Sequence, residues 1–126
     1  MDILLDTHTF LWWDGDARDL SAACRAAIAD PSNRIFVSAA SVWEIAIKRR
    51  TGKLAFSGSA VEAIRRNGFL ELSILGLHAE AAAALDWSNA DPFDRLLVAQ
   101  AQASGLILAT ADRAIRAYGN VTQIAA

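Results

Sequence analysis

The sequence predicts an α/β domain in which helices flank a short, mostly parallel central sheet. Short apolar segments such as Ile3-Leu4-Leu5 alternate along the chain with longer segments of helical periodicity. This alternation is typical of parallel sheets, because a helix usually makes the crossover between two parallel strands. The chain has 126 residues and is 54% hydrophobic, which suits one sizeable core. We therefore expect residues 1–126 to form a single domain.

The first half of the chain begins with a strand that ends abruptly at Asp6. Continuous apolar runs such as Ile3-Leu4-Leu5 and Ile35-Phe36-Val37 are typical of strands that are buried on both faces. The second run leads into a helix that can start at Ser38 or at Ser41, since Ser41 and Glu44 also match a capping box. The predicted elements, in order, are strand 3–5, a short helix or turn up to residue 13, helix 21–29, strand 35–37, helix 38–50 ending near Gly52, and helix 59–67.

The second half of the chain is organised around a helix that starts after Asp91. Asp91 is a suitable N-cap, and Pro92 suits the first helical position, where no backbone N–H is needed. Residues 105–109 predict another buried strand, while the alternation over 70–74 predicts a more marginal one. The remaining predictions are helix 78–87, helix 113–118 and a final edge strand over 121–124.

Four acidic residues stand where predicted strands end or helices begin, namely Asp6, Glu44, Asp94 and Asp112. Each has an ordinary alternative as a helix cap, as a partner of the helix dipole or, for Glu44, as an ion pair with Lys48. Parallel strands, however, bring their carboxyl ends to one edge of the sheet, where these acids would meet. Clustered carboxylates repel one another unless a cation neutralises them, and oxygen ligands suit Mg²⁺ or Mn²⁺. Such an ion can activate water and stabilise an in-line phosphoryl displacement.

Other kinds of site find little support in the sequence. His8 and His78 lack metal-ligand spacing, and the chain has no glycine-rich phosphate loop. The formal net charge of -2 provides no overall basic field for nucleic acid. Cys24 is the only cysteine, so no internal disulfide can form and a cytoplasmic location is expected. No secretory signal is visible, and no apolar run reaches the roughly 18 residues that a membrane span requires.

Four short motifs, in this order and spacing, resemble the PIN domain, and in particular the VapC-type toxins of bacterial type II toxin–antitoxin systems. The resemblance covers essentially the whole chain. It implies a three-layer PIN-like fold and a metal-dependent endoribonuclease, usually a homodimer, that is held inactive by an antitoxin whose tail lies across the site. The motifs are Leu4-Leu5-Asp6-Thr7, Ser41-Val42-Trp43-Glu44-Ile45, Asp91-Pro92-Phe93-Asp94-Arg95-Leu96-Leu97 and Thr110-Ala111-Asp112.

The resemblance also implies roles for individual residues. By position, the acidic quartet that binds Mg²⁺ or Mn²⁺ and catalyses RNA hydrolysis would be Asp6, Glu44, Asp94 and Asp112. Thr110 would support the site, and Asp91 would serve as a cap or a supporting acid. The chain departs from many relatives in the segment before Asp91, which reads Ser88-Asn89-Ala90 rather than containing a histidine or basic residue.

A basic cluster at the end of the Glu44 helix has two interpretations. Lys48, Arg49 and Arg50 can interact favourably with the helix C-terminus on a solvated face. With Trp43, they can also contact RNA phosphates or an antitoxin beside the acidic site.

Two alternatives to the ribonuclease remain open at this point. The chain could be a non-catalytic module that keeps the PIN fold and binds a partner, with its acids acting as caps. It could also be a metal-dependent phosphatase that acts on small phosphoesters. An intact acidic quartet argues against the first alternative, whereas only an assay separates the nuclease from the phosphatase.

Overall fold

The computed structural model describes all 126 residues and contains seven helices and five strands. The strands are β1 (Asp2–Leu5), β2 (Arg34–Ser38), β3 (Leu70–Leu72), β4 (Ile107–Thr110) and β5 (Gln123–Ala125). The helices are α1 (Thr7–Asp14), α2 (Ala22–Ala29), α3 (Ala39–Arg50), α4 (Ala60–Arg66), α5 (Gly76–Ala84), α6 (Pro92–Ser104) and α7 (Arg113–Tyr118).

The five strands form one parallel sheet in the order β3-β2-β1-β4-β5. The central strand β1 pairs with β2 on one side, where Leu4 lies opposite Phe36, and with β4 on the other, where Leu4 lies opposite Leu108. The predicted α/β class with a parallel sheet flanked by helices is therefore confirmed.

Helices cover both faces of the sheet, because successive side chains of the buried strands point to opposite faces. On one face, Ile3 and Leu5 of β1 belong to a core to which α1, α2, α3 and α4 contribute. On the other face, Leu4 belongs to a core with Leu97 of α6 and Ile115 of α7. The result is a three-layer arrangement in which β1 is inaccessible to solvent from Ile3 to Leu5.

The order of the strands creates a crevice at the carboxyl end of β1. The chain proceeds from β1 to β2 and β3 on one side, and then returns to place β4 and β5 on the other side. At such a switch point the connections after two adjacent parallel strands diverge, which leaves room for a ligand at the carboxyl edge. Asp6 follows β1 directly and Thr110 ends β4, so both stand at this edge.

The structure decides between the two caps available to α3. The Ser38 hydroxyl accepts a hydrogen bond from the backbone N–H of Ala40 at 3.0 Å, so the helix starts at Ala39 rather than after Ser41. Ser41 and Glu44 consequently lie inside the helix and are both buried. Capping by Ser38 thus makes Glu44 available to a site on the helix flank.

Helix α5 covers residues 76–84 rather than the predicted 78–87. It starts earlier because Nδ1 of His78 accepts a hydrogen bond from the backbone N–H of Leu75 at 3.0 Å. It ends earlier because Leu85 leaves the helical region, with φ -57° and ψ 129°. The short strands also differ at their ends, since β3 stops at Leu72 and β5 starts at Gln123, opposite Leu108 of β4.

No helix in the structure is both long enough and apolar enough to cross a bilayer.

Candidate functional site

A cavity of about 310 Å³ opens at the carboxyl edge of the sheet, beside the crevice between β1 and β4. All four acids of the predicted quartet line it, and they come from four different parts of the chain. Its lining residues are Asp6, Thr7, His8, Trp12, Glu44, Lys48, Asp91, Asp94, Leu97, Ala111 and Asp112.

Asp6 is the most buried carboxylate of the cavity, with 5% of its surface exposed. It caps α1, since Oδ1 accepts a hydrogen bond from the backbone N–H of Thr9 at 2.9 Å. Oδ2 accepts a hydrogen bond from the hydroxyl of Thr110 at 2.5 Å. Burial raises the pKa of Asp6 above its ordinary value, and the hydrogen bonds from Thr110 and Thr9 oppose that rise. The carboxylate is therefore held in one orientation by groups from β4 and α1.

Thr110 also links Asp6 to Asp112. Its Oγ1 accepts a hydrogen bond from the backbone N–H of Asp112 at 3.0 Å while it donates to Asp6. Asp112 then caps α7, because its Oδ1 accepts from the backbone N–H groups of Ala114 and Ile115. Oδ2 of this exposed residue takes no part in the cap.

Glu44 is buried against α1, and both of its oxygens have partners. Oε1 accepts a hydrogen bond from the hydroxyl of Thr7 at 2.6 Å, and Thr7 also lies 2.9 Å from the hydroxyl of Ser41. Oε2 lies 2.6 Å from Nζ of Lys48, one helical turn further along α3. The predicted i,i+4 ion pair is therefore present, and it lies inside the cavity rather than on an outer face. Its hydrogen bond to Glu44 raises the pKa of Lys48, which keeps the ammonium charged.

Asp94 lies in the first turn of α6 and is held by the segment before that helix. Oδ2 accepts a hydrogen bond from the side-chain amide of Asn89 at 3.0 Å, which leaves Oδ1 for another partner. Asp91 caps the helix by accepting from the backbone N–H groups of Phe93 and Asp94. Burial raises the pKa of Asp94 to about 6, the Asn89 hydrogen bond acts in the opposite direction, and the neighbouring carboxylates add to the rise.

The guanidinium of Arg95 holds the whole segment that leads to Asp91. It donates to five backbone carbonyl oxygens and to no carboxylate. The bond from Nε to the Ala82 carbonyl is 2.9 Å long, and those from Nη1 to the carbonyls of Trp87 and Asn89 are 2.7 and 2.8 Å. Because Asn89 in turn donates to Asp94, Arg95 positions one of the four acids without touching it.

The other predicted contact residues of α3 do not line the cavity. Trp43 is 57% exposed and its ring meets that of Phe93 edge-on, with the centroids 5.4 Å apart. Arg49 is exposed and donates to the backbone carbonyl of Gly58, and Arg50 is also exposed. Of the four, Lys48 alone lines the cavity. Trp12 of α1 also lines the cavity.

Sequence reasoning missed several residues that orient the acids, above all Thr7, Ser41, Asn89 and Arg95. Thr7, Ser41 and Arg95 lie inside the motifs that carry the resemblance, but the contacts that give them a role, such as that between Thr7 and Glu44, appear only in the fold. Asn89 has one indirect signal, because it stands in the segment where this sequence departs from the resemblance.

The raised pKa of Asp94 leads to a pH prediction for the protein in the presence of a chelator. The folded pKa of about 6 exceeds the ordinary value of 3.8, so ionisation of Asp94 disfavours the folded state. The stabilising effect of its proton is fully present below the lower value and is lost as pH rises through the higher one. We expect the Tm of Asp94→Asn to rise relative to wild type between about pH 4 and pH 7, as followed by circular dichroism. The exposed Asp86→Asn is the control. A Tm difference between Asp94→Asn and wild type that stays constant with pH would contradict the prediction.

The donor set fits a hard divalent cation in its chemistry. The acids offer only oxygen ligands, and five carboxyl groups line the cavity with Lys48 as the one ammonium or guanidinium group among them. Such a set suits Mg²⁺ or Mn²⁺ better than a thiophilic metal. No three His, Cys, Asp or Glu side chains are drawn together as a completed metal site. Ion binding would therefore require movement of some of these side chains.

A family model described as the PIN domain matches residues 3–121. The chain is 30% identical over 123 residues to a Mycobacterium tuberculosis protein named ribonuclease VapC22, covering 92% of this chain and 91% of that protein.

Two solved structures share the fold. The first, described as a toxin–antitoxin complex from Klebsiella pneumoniae, superimposes with a TM-score of 0.68 at 21% identity, covering 98% of this chain and 96% of the other. The second, VapBC2 from Rickettsia felis bound to a DNA fragment from its promoter, gives a TM-score of 0.64 at 14% identity and covers 98% of each chain. At these identities the two structures establish a common fold.

Proposed function

Because the chain belongs to the PIN domain family and to its VapC-type members, we propose that it is a divalent-metal-dependent endoribonuclease that acts as the toxin of a toxin–antitoxin pair. The observation that carries the proposal is the excess of carboxylates in the cavity. Asp6, Glu44, Asp94 and Asp112 surround it, and Lys48 alone provides a full positive charge. A site of this charge attracts a cation, and RNA brings the phosphate on which that cation would act.

The proposed ligands of Mg²⁺ or Mn²⁺ are the four acids. When bound, the ion would lower the pKa of a water molecule and stabilise negative charge on the phosphate. Asp94 has Oδ1 and Asp112 has Oδ2 free of the hydrogen bonds that orient each residue. Asp6 accepts one hydrogen bond on each oxygen and keeps a second lone pair on each.

The residues around the acids perform the positioning that such a reaction requires. Thr110 links Asp6 and Asp112 through its hydroxyl, and the hydrogen bond from Asn89 orients the carboxylate of Asp94. Asp91 caps α6 so that Asp94 stays in its first turn. These side chains fix the acids before substrate arrives, which lowers the reorganisation that the reaction would otherwise need.

The proposal extends to the partners of the chain. Relatives whose structures are described as toxin–antitoxin complexes motivate a cognate antitoxin as the inhibitor. The exposed Trp43 beside the cavity offers an apolar contact for it, and the acids offer a place for an antitoxin cation. We also propose a homodimer, as the family resemblance implies, and a cytoplasmic location, which the single buried Cys24 suits.

Removal of metal tests the proposed activity. We expect the purified chain to cleave RNA in Mg²⁺ or Mn²⁺ and to lose cleavage by at least about a hundredfold in excess EDTA, because the carboxylates alone cannot stabilise the phosphate charge. Gel analysis of a labelled RNA pool measures cleavage, and restoration by added Mn²⁺ shows that EDTA acted on the metal.

A parallel assay separates the alternatives. Hydrolysis of p-nitrophenyl phosphate with RNA left intact would replace the nuclease by a phosphatase. Inactivity on both substrates in Mg²⁺ and in Mn²⁺ would favour a non-catalytic partner-binding module.

A further inference from the structure

The single cation of the cavity is paired with a carboxylate that the proposed reaction needs. Nζ of Lys48 lies 2.6 Å from Oε2 of Glu44, and Glu44 has 10% of its side chain exposed. The other carboxylate oxygen already accepts from Thr7. Each oxygen of Glu44 thus accepts one hydrogen bond, and the stronger, charge-assisted bond comes from Lys48.

A divalent cation and the ammonium of Lys48 compete for the same oxygen. Two positive charges that share Oε2 of Glu44 would repel one another strongly at contact distance. The bond from the neutral Thr7 hydroxyl to Oε1 carries no such conflict and can persist. Each Glu44 oxygen keeps a second lone pair, but an ion bound there would lie close to Nζ of Lys48, so charge repulsion favours release of Lys48 while Thr7 continues to hold the carboxylate.

The side chain of Lys48 can reach solvent when its ammonium is released from Glu44. It lies in the last turn of α3 with 38% of its side chain exposed, in contrast to the buried Glu44. Its flexible four-carbon chain allows the ammonium to turn toward the cavity mouth.

We propose that Lys48 is a displaceable counter-cation, which neutralises Glu44 until a divalent ion takes that carboxylate and which then binds a phosphate of the substrate. The inference rests on the proposed function and adds a coupling to it, because metal binding would make one phosphate contact available. Lys48 is then both a competitor of the metal and a binding residue for RNA.

The first experiment measures metal affinity without any reaction. Mn²⁺ is titrated calorimetrically into wild-type protein, Lys48→Met and Lys48→Arg, with the exposed Lys53→Met as a matched control. We expect Lys48→Met to bind Mn²⁺ about fivefold more tightly, since the competing cation is gone. Lys48→Arg should not bind more tightly than wild type, because its guanidinium can still pair with Glu44. Lys53→Met should match wild type.

Weaker or unchanged Mn²⁺ binding by Lys48→Met would overturn the competition. Circular dichroism of each variant shows whether the fold is retained. General damage to the helix would weaken Mn²⁺ binding in both variants, so only tighter binding by Lys48→Met without tighter binding by Lys48→Arg supports the competition.

The second experiment measures the coupling to RNA. Fluorescence anisotropy follows a short labelled RNA with EDTA or with Ca²⁺, which slows hydrolysis, and a gel checks that the RNA stays intact. In EDTA, Lys48→Met should bind RNA less than about twofold more weakly than wild type, because Glu44 holds Lys48 and only the general loss of one positive charge is felt. In Ca²⁺, the variant should bind about three- to fivefold more weakly than wild type, since one phosphate contact is lost.

An equal loss with and without metal would mean that Lys48 is a constant phosphate contact, and it would overturn the exchange. If wild-type protein does not bind RNA under either condition, the proposed function and the phosphate contact both fail. The Mn²⁺ titration then still reports whether Lys48 competes with metal, so the two failures can be distinguished.

Discussion

Asp94→Asn is expected to reduce RNA cleavage by about a hundredfold or more while the protein stays folded. Asparagine keeps the shape of the side chain and its place in the first turn of α6, but it removes the charge that would hold the metal ion. In the wild-type protein the side-chain amide of Asn89 donates to Oδ2 of Asp94, and in the variant it can donate to the side-chain oxygen of the new asparagine. Loss of a carboxylate also relieves repulsion from Glu44 and Asp112, which add to the raised pKa of Asp94.

The measurement compares cleavage rates in saturating Mn²⁺ with thermal melting of the same preparations in EDTA. The exposed Asp86→Asn, in the segment between α5 and α6, is the matched control for loss of one acid. Full RNA cleavage by Asp94→Asn would remove Asp94 from the essential ligands. Loss of cooperative melting would show that the residue serves the fold through its position at the helix start.

Arg95→Met is expected to lower the free energy of unfolding by about 2–4 kcal/mol. The substitution keeps much of the aliphatic chain but leaves five carbonyl oxygens without their common donor. Some of these carbonyls can recover water, so the loss is smaller than five full hydrogen bonds. Arg95→Lys should lose nearly as much, because a lysine ammonium cannot reproduce the planar guanidinium fork.

Urea denaturation measures the loss, with the exposed Arg18→Met as the control for removing an arginine. The two Arg95 variants should also cleave RNA more slowly, by about tenfold or more, since the segment that carries Asn89 no longer holds Asp94 in place. Stability within about 0.5 kcal/mol of wild type would show that the five bonds contribute little. Reduced stability with full cleavage would separate the anchoring of the segment from the positioning of Asp94.

The sequence alone was sufficient to predict the architecture and to select the four candidate carboxylates. The continuous apolar runs at residues 3–5 and 107–109 are typical of central strands that are buried on both faces. Because helices lie between the strands along the chain, the strands are expected to be parallel. From parallel strands it follows that Asp6 and Asp112 stand at one edge. Asp91 and Pro92 likewise define the start of α6 through local chemistry that does not depend on the rest of the fold.

Tertiary structure decided what surrounds those carboxylates. Two serines could cap α3, and packing selected Ser38, which buried Glu44 beside Thr7. Helix α5 ends at Ala84, three residues before the predicted end at Trp87, and Arg95 from the next helix binds the carbonyls at that end. Capping and periodicity act over a few residues and can be predicted from them. Hydrogen bonds such as Thr110 to Asp6 join positions 104 residues apart, and they exist because the fold brings the two strands together.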